Sequence, residues 1–268
     1  MRIKMCGKLG SLLKTILSMM IMFFLTAEVF ADVKLRTEAD VAAYSDKITG
    51  FNFIKGIKKE FKREVITDDN TPFLHKQIKG RNVWVAEYKD FKLELKSVLK
   101  DDKYKRNFKV YIDPNDGTLL KITSKFEGFD PNFPKAPSAA TVERLSKGVS
   151  YSFPKEPPKI SFLDALDAAQ TGMPSNPLEA KEIEGLYVWY SNPLFQARRV
   201  WIILTRGQPS YPMIGFGPDI PNRSEPNLLE ERKKREGKEE WFRVFIDADT
   251  GNAIFGDNAL RPEEPEKK

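Results

Sequence analysis

The phrase FKVYIDPNDGTLL, Phe108 to Leu120, returns 134 residues later as FRVFIDADTGNAI, Phe242 to Ile254. Repetition on this scale restricts the fold more than any other feature of the chain, because each copy must make the same local structure. In the first copy Phe108, Val110 and Ile112 fall on one side of an extended backbone, and in the second Phe242, Val244 and Ile246 do so. A period of two with one apolar side is the mark of a half-buried strand. Each strand runs into an aspartate, Asp113 or Asp247, whose carboxylate accepts the backbone N–H groups just ahead of it and starts a turn. Gly117 and Gly251 then provide the left-handed backbone that closes a short hairpin.

Thr37-Glu38-Ala39-Asp40 and Ser161-Phe162-Leu163-Asp164 each put a hydroxyl residue three positions before a carboxylate, at the head of an alanine-bearing stretch. That spacing predicts two helix starts of the capping-box kind, with Asp in place of Glu. From Thr37 to Asp113 is 76 residues and from Ser161 to Asp247 is 86. Between them lie strand candidates: Val83–Tyr88 and Phe91–Val98 in the first half, Leu186–Tyr190 and Arg199–Thr205 in the second. An enlarged loop, 206–238, absorbs the difference in spacing. The run KKEFKR, Lys58 to Arg63, reads as a polar helix face, with anion binding as the alternative, and EERKKREGKEE, Glu230 to Glu240, as a solvated loop or helix surface.

Residues 1–31 read as a secretory signal peptide, with Arg2, Lys4, Lys8 and Lys14 ahead of the apolar run Ile16–Leu25 and the small-residue site Val29-Phe30-Ala31. The run is shorter than the roughly 20 residues of a membrane span. Export to the periplasm or medium is expected, with no membrane contact after cleavage. Cys6, the single cysteine, leaves with the leader, so no disulfide and no thiolate ligand is expected. The whole chain carries 44 basic and 38 acidic residues, and removing the leader's four bases and Glu28 leaves 40 and 37, a net charge of +3. Such a weak and mixed charge argues against nucleic acid as a partner.

The division that follows is a first unit over 32–130, a proline-rich connector over 131–158 with a short helical patch at Ser138–Lys147, a second unit over 159–256, and a disordered tail over 257–268. Val244, Ile246, Asp247, Thr250 and Gly251 carry the strand-turn-strand pattern V-x-[VI]-D-x-x-T-G, and with the preceding ISFLDALDAAQ the second copy resembles the PepSY-type domain of exported bacterial proteins. The first copy matches at Val110, Ile112, Asp113 and Gly117, with Asp116 where Thr is usual. The resemblance implies an α+β fold of two tandem cystatin-like units, each a helix packed on its own antiparallel sheet. It further implies binding or restraint of other envelope or secreted proteins, such as peptidases, and no catalytic residue.

Candidate chemistry is sparse. His75 is the sole histidine, no Gly-x-Ser-x-Gly elbow accompanies it, and it reads as an exposed ring on a strand or loop. The turn oxygens of Asp113, Asn115, Asp116, Asp247 and Asp249 miss the EF-hand spacing, since Gly117 and Ser124 stand where oxygen ligands belong. No catalytic, cofactor or metal residue is therefore expected. A carboxylate-dependent envelope hydrolase and an envelope-surface or lipid-contacting module stay open as alternatives.

The two halves differ on the sheet side away from the expected core. In the first half that side carries Lys92, Glu94, Lys96, Lys109 and Tyr111, a wettable surface. In the second, Tyr187, Trp189, Trp201, Ile203, Trp241 and Phe245 fall opposite Leu186, Val188, Val200, Ile202, Leu204, Phe242 and Val244. A strand apolar on both sides needs cover on both. Either the chain covers these aromatics itself, or Tyr187, Trp189, Trp201, Trp241 and Phe245 form an exposed platform for a protein partner.

Overall fold

Local hydrogen bonds start both helices. Thr37 Oγ1 accepts from the Asp40 N–H at 3.2 Å while the Thr37 N–H donates to Asp40 Oδ2 at 2.9 Å, opening α1 (Glu38–Thr49). Ser161 Oγ accepts from the Asp164 N–H at 3.1 Å and opens α2 (Phe162–Ala169). The computed structural model describes residues 35–54, 56–67, 78–92, 105–125, 148–173, 176–192, 195–209 and 239–257. The leader, His75, Glu94, Lys96, the Ser138–Lys147 patch, residues 210–238 of the enlarged loop and residues 258–268 lie outside the described residues.

The strands are β1 (Lys58–Val65), β2 (Asn82–Lys92), β3 (Lys105–Ile112), β4 (Leu119–Lys125), β5 (Ser150–Ser152), β6 (Glu182–Asn192), β7 (Phe195–Pro209), β8 (Glu239–Asp247) and β9 (Ala253–Asp257). All pair antiparallel, in the order β1-β2-β3-β4-β6-β7-β8-β9. One edge of β6 takes two partners: β4 along Glu182–Gly185 and β5 along Trp189–Ser191.

The expectation of two cystatin-like units, each with a helix on a sheet of its own, is overturned by this topology. The chain makes one nine-stranded sheet with two short helices among the described residues. The physical reason is the join between β4 and β6, where Ile122, Thr123, Ser124 and Lys125 oppose Gly185, Glu184, Ile183 and Glu182. Two separate sheets would each leave an edge of unpaired N–H and C=O groups there, and pairing those edges satisfies both. The core is shared as well. Phe162 of α2 packs edge-on to Phe51 and Phe108 of the first half, at 6.4 and 5.8 Å between ring centres, and tilted against Trp201 of the second at 5.6 Å.

Gly185 in β6 makes that packing possible. A Cβ there would stand 2.4 Å from Cε2 of Phe162, so the ring rests on bare backbone. Both helices lie on this side of the sheet, over Tyr88, Phe108, Val110, Ile183, Trp201 and Ile203. Tyr88 ties α1 to it, its hydroxyl bonding Ser45 Oγ at 2.7 Å and Asp46 Oδ1 at 2.9 Å. Burial pushes the Tyr88 phenol well above its ordinary range.

The opposite side is buried over much of its area too. Leu186, Val188, Val200, Ile202 and Phe245 form one apolar cluster there, with Val149, Tyr151, Phe153, Ile254 and Phe255 against it. Val83, Val85, Tyr111 and Leu120 form another. The wettable surface expected in the first half is thus interrupted, since Tyr111 is buried and only Lys109 of the described side chains there is half-exposed.

Candidate functional site

The two repeated phrases build matching frameworks. In the first turn Asp113 N–H donates to Thr118 O and Gly117 N–H to Asp113 O, and in the second Asp247 N–H donates to Asn252 O and Gly251 N–H to Asp247 O. Asp113 Oδ1 accepts from Asn115 N–H at 2.9 Å, and Asp247 Oδ1 accepts from Asp249 and Thr250 N–H at 3.0 Å. Gly117 and Gly251 take φ of 72° and 79°, which a side chain would strain.

The correspondence extends beyond the turns to the strand next to each. Trp84 Nε1 donates to Leu35 O at 2.9 Å, and Trp201 Nε1 to Ile160 O at 3.1 Å. Leu35 N–H reaches Pro114 O and Ile160 N–H reaches Ala248 O, both at 3.3 Å. Arg81 meets Asp113 at 3.4 Å and Arg198 meets Asp247 at 3.7 Å, each arginine three residues ahead of its tryptophan. Each hairpin turn therefore forms a corner with the residue that leads into a helix, pinned by an indole.

Charge separates the two corners. At the second, the Asp249 carboxylate sits between cations, 2.6 Å from Arg199 and 3.3 Å from Lys159. The matching position in the first turn is Asn115, two residues past Asp113 as Asp249 is past Asp247. There a recess of about 380 Å³ opens, lined by Leu35, Arg36, Arg63, Pro114 and Asn115. The Arg63 guanidinium lies 4.2 Å from the centre of the Trp84 indole, a stacked cation–π contact. Asp40 spends its Oδ2 on the Arg36 and Thr37 N–H groups, which hold its carboxyl below the usual carboxylate range, the Thr37 backbone contributing most.

The recess abuts the end of the sheet. β1 pairs with β2 along Lys58–Val65 and is, among the described residues, the terminal strand on that side, exposed or half-exposed at every position. Its side chains toward the helices are Lys59, Phe61, Arg63 and Val65, since Phe61 opposes Ala86 and Arg63 opposes Trp84. Lys58 pairs with Asp90 at 3.6 Å, Lys59 with Asp46 at 2.6 Å and Lys62 with Glu64 at 3.1 Å. Among the described residues no carboxylate lies within ion-pair distance of the Arg63 or Arg36 guanidinium.

The expected aromatic platform is dispersed by the structure. Tyr187 and Trp201 share the helix side and are buried, their rings tilted at 5.5 Å. Phe245 is buried on the other side, because Ile202 opposes Phe245 and Ile203 opposes Val244, which places Val244 and Phe242 with Trp201. Trp189 is 38% exposed, with Arg199 at 5.8 Å from its ring. The Trp241 backbone opposes Arg206, and its side chain lies outside the described residues.

Buried charge elsewhere is committed to structure. Arg206 bonds Glu182 Oε2 at 2.9 Å and Glu184 Oε2 at 3.3 Å, a triad that ties β6 to β7. Arg106 donates from both terminal nitrogens to Ala180 O, and burial pulls its guanidinium down to about 9 against the pull of Glu182. Both arginines join strands to backbone or to a neighbouring strand. Among the described residues, no three His, Cys, Asp or Glu side chains are placed to share a metal ion, and no helix is long and apolar enough to cross a membrane.

Arg63 is marked in the sequence only as part of KKEFKR and Arg36 not at all; the two come together at the recess they both line. One signal was within reach: the phrases DPND and DADT carry their second carboxylate at different places, Asp116 in the first and Asp249 in the second, with Asn115 at the position that matches Asp249. Compared with family models, with curated proteins and with solved structures, the chain matches none of them.

Proposed function

We propose that this chain is an exported, non-enzymatic binding module that takes an extended segment of another protein along the edge strand β1. The observation that carries the reading is β1 itself, eight residues long, paired on one side among the described residues and exposed or half-exposed along its length. Edge addition of this kind draws affinity from backbone hydrogen bonds and selectivity from alternate side chains. The leader-like start supports an envelope or extracellular setting, and the PepSY-like second phrase supports a partner such as a peptidase.

The test is hydrogen–deuterium exchange on the chain purified after export, with and without the envelope proteins it captures. Slowed exchange in 58–65 is the expected result. Protection confined to other segments would remove the edge from the reading. Turnover of an envelope polymer, abolished by one Asp or Glu exchange in a folded variant, would favour the hydrolase alternative.

A further inference from the structure

We infer that the recess beside β1 is a carboxylate subsite, in which Arg36 and Arg63 receive an acidic side chain of the strand added to the edge. The inference rests on the edge-binding reading above and gives it a chemistry. Three of the four bases on β1 have acids of their own, and Arg63 instead lies over Trp84 beside Arg36. A guanidinium supported on an aromatic face is pre-oriented for a planar carboxylate and loses little freedom on binding it.

The second corner shows what fills such a place. There the chain supplies Asp249 between Arg199 and Lys159. At the first corner the equivalent position is neutral Asn115, whose Nδ2 donates to Asp113 Oδ1 at 3.0 Å. Asp113 in turn meets Arg81. The cations lining the recess are Arg36, whose charge also acts on the nearby Asp40 carboxylate, and Arg63, which has no carboxylate partner among the described residues; the acid placed between them comes from outside.

A second copy of the chain brings no acid to Arg63, because the acids of β1, Glu60 and Glu64, lie on the side away from the helices. Two copies pairing antiparallel about a twofold axis keep helix side with helix side. Centred on Phe61, that arrangement opposes Lys59 to Arg63 twice on the helix side, while Glu60 meets Lys62 and Lys58 meets Glu64 on the other; centred on Lys62, it opposes Lys62 to itself and Glu60 to Glu64. Like charges directly opposite destabilise a strand pair. A different polypeptide, acidic where it passes Arg63, meets no such conflict.

The experiment is selection of a displayed library of random twelve-residue peptides on the full chain, followed by affinity measurement on the enriched peptides. The expected result is enrichment of Asp or Glu at one position of strand-forming peptides, with at least about tenfold weaker binding when that acid is exchanged for its amide. Asn115→Asp, which supplies the carboxylate in cis as Asp249 does, and Arg63→Gln should each erase that preference while leaving the folded signal intact. Enriched peptides that protect 58–65 from exchange with no preference for acids would overturn the subsite and spare the edge. Peptides that bind without protecting 58–65 would overturn both. Equal binding by free acetate or succinate would assign the recess to small carboxylates, and a dimer dispersed by Phe61→Lys would assign the edge to a second copy; either result sinks the inference.

Discussion

Replacing Gly185 with alanine tests the feature that makes one core out of two halves. The new methyl would lie 2.4 Å from Cε2 and 2.8 Å from Cδ2 of Phe162, so the ring must retreat by about 1 Å to reach ordinary contact. Behind it stand Phe51, Phe108 and Trp201, all fully buried, and none can yield without moving a neighbour. Overpacking of this kind costs about 1–3 kcal/mol, offset by the roughly 0.5–1 kcal/mol that alanine recovers over glycine in backbone entropy. Gly185→Ala should therefore destabilise by about 1–2 kcal/mol. Phe162→Ala alone should cost about 3–5 kcal/mol through the cavity it leaves. In the double variant the methyl faces empty space and the overpacking cost disappears, so the pair should fall short of additivity by at least about 1 kcal/mol. Urea unfolding followed by circular dichroism and tryptophan fluorescence gives all four corners of the cycle. Additive losses, or a Gly185→Ala variant as stable as the parent, would show that Phe162 does not rest on β6 and would dissolve the shared core.

Three further outcomes follow from the same structure. Trp84→Phe and Trp201→Phe each leave a carbonyl, Leu35 O or Ile160 O, without its indole donor, so each should cost about 1–2 kcal/mol in thermal unfolding. Arg206→Met takes the shared guanidinium from Glu182 and Glu184 in buried surroundings, leaving Glu182 with Lys125 at 3.8 Å, and should cost about 3 kcal/mol at neutral pH. Urea unfolding at neutral pH measures the loss, and a variant as stable as the parent would contradict it. Burial, ahead of nearby charge, pushes Tyr44 and Tyr187 up to about 12. Their contribution is whole below the unfolded value near 10 and is lost as pH climbs from there toward 12, so Tyr187→Phe should flatten the alkaline limb of stability measured by urea titration.

What the sequence conveys well is local. Asp113 and Gly117, like Asp247 and Gly251, act within five residues of one another, and turn chemistry at that range depends on residue type. The join of β4 to β6 left no such mark, because Ile122–Lys125 and Glu182–Gly185 associate through backbone groups that every residue carries. KKEFKR was read as a helix face because its charges follow neither period cleanly, whereas the β1 backbone is fixed by eight paired positions on β2. Phe245 was placed with Trp201 because alternation gives the faces of one strand and says nothing of how neighbours align; the β7–β8 register supplies that. Tyr187 and Trp201 drew attention as aromatics on a doubly apolar strand, and the residue that covers them, Phe162, sits on a helix no strand pattern could position over them.

The two corners also set a measurable contrast between stability and recognition. At the second, Asp249 is 36% exposed and Lys159 63% exposed, so their ion pair is a surface interaction worth less than about 1 kcal/mol. Closing the first corner in the same way with Asn115→Asp should raise stability by no more than that, a shift of about 2–4 °C at most for a domain of this size. A chain that leaves the corner neutral thus forgoes little, which is the condition under which a recess can be kept for a ligand. The two effects of Asn115→Asp should be unequal: a small rise in midpoint temperature by scanning calorimetry, and near-complete loss of preference for acidic peptides along β1. A large rise with peptide selection untouched would mean that the first corner is merely an unoptimised copy of the second, and that Arg36 and Arg63 recognise nothing.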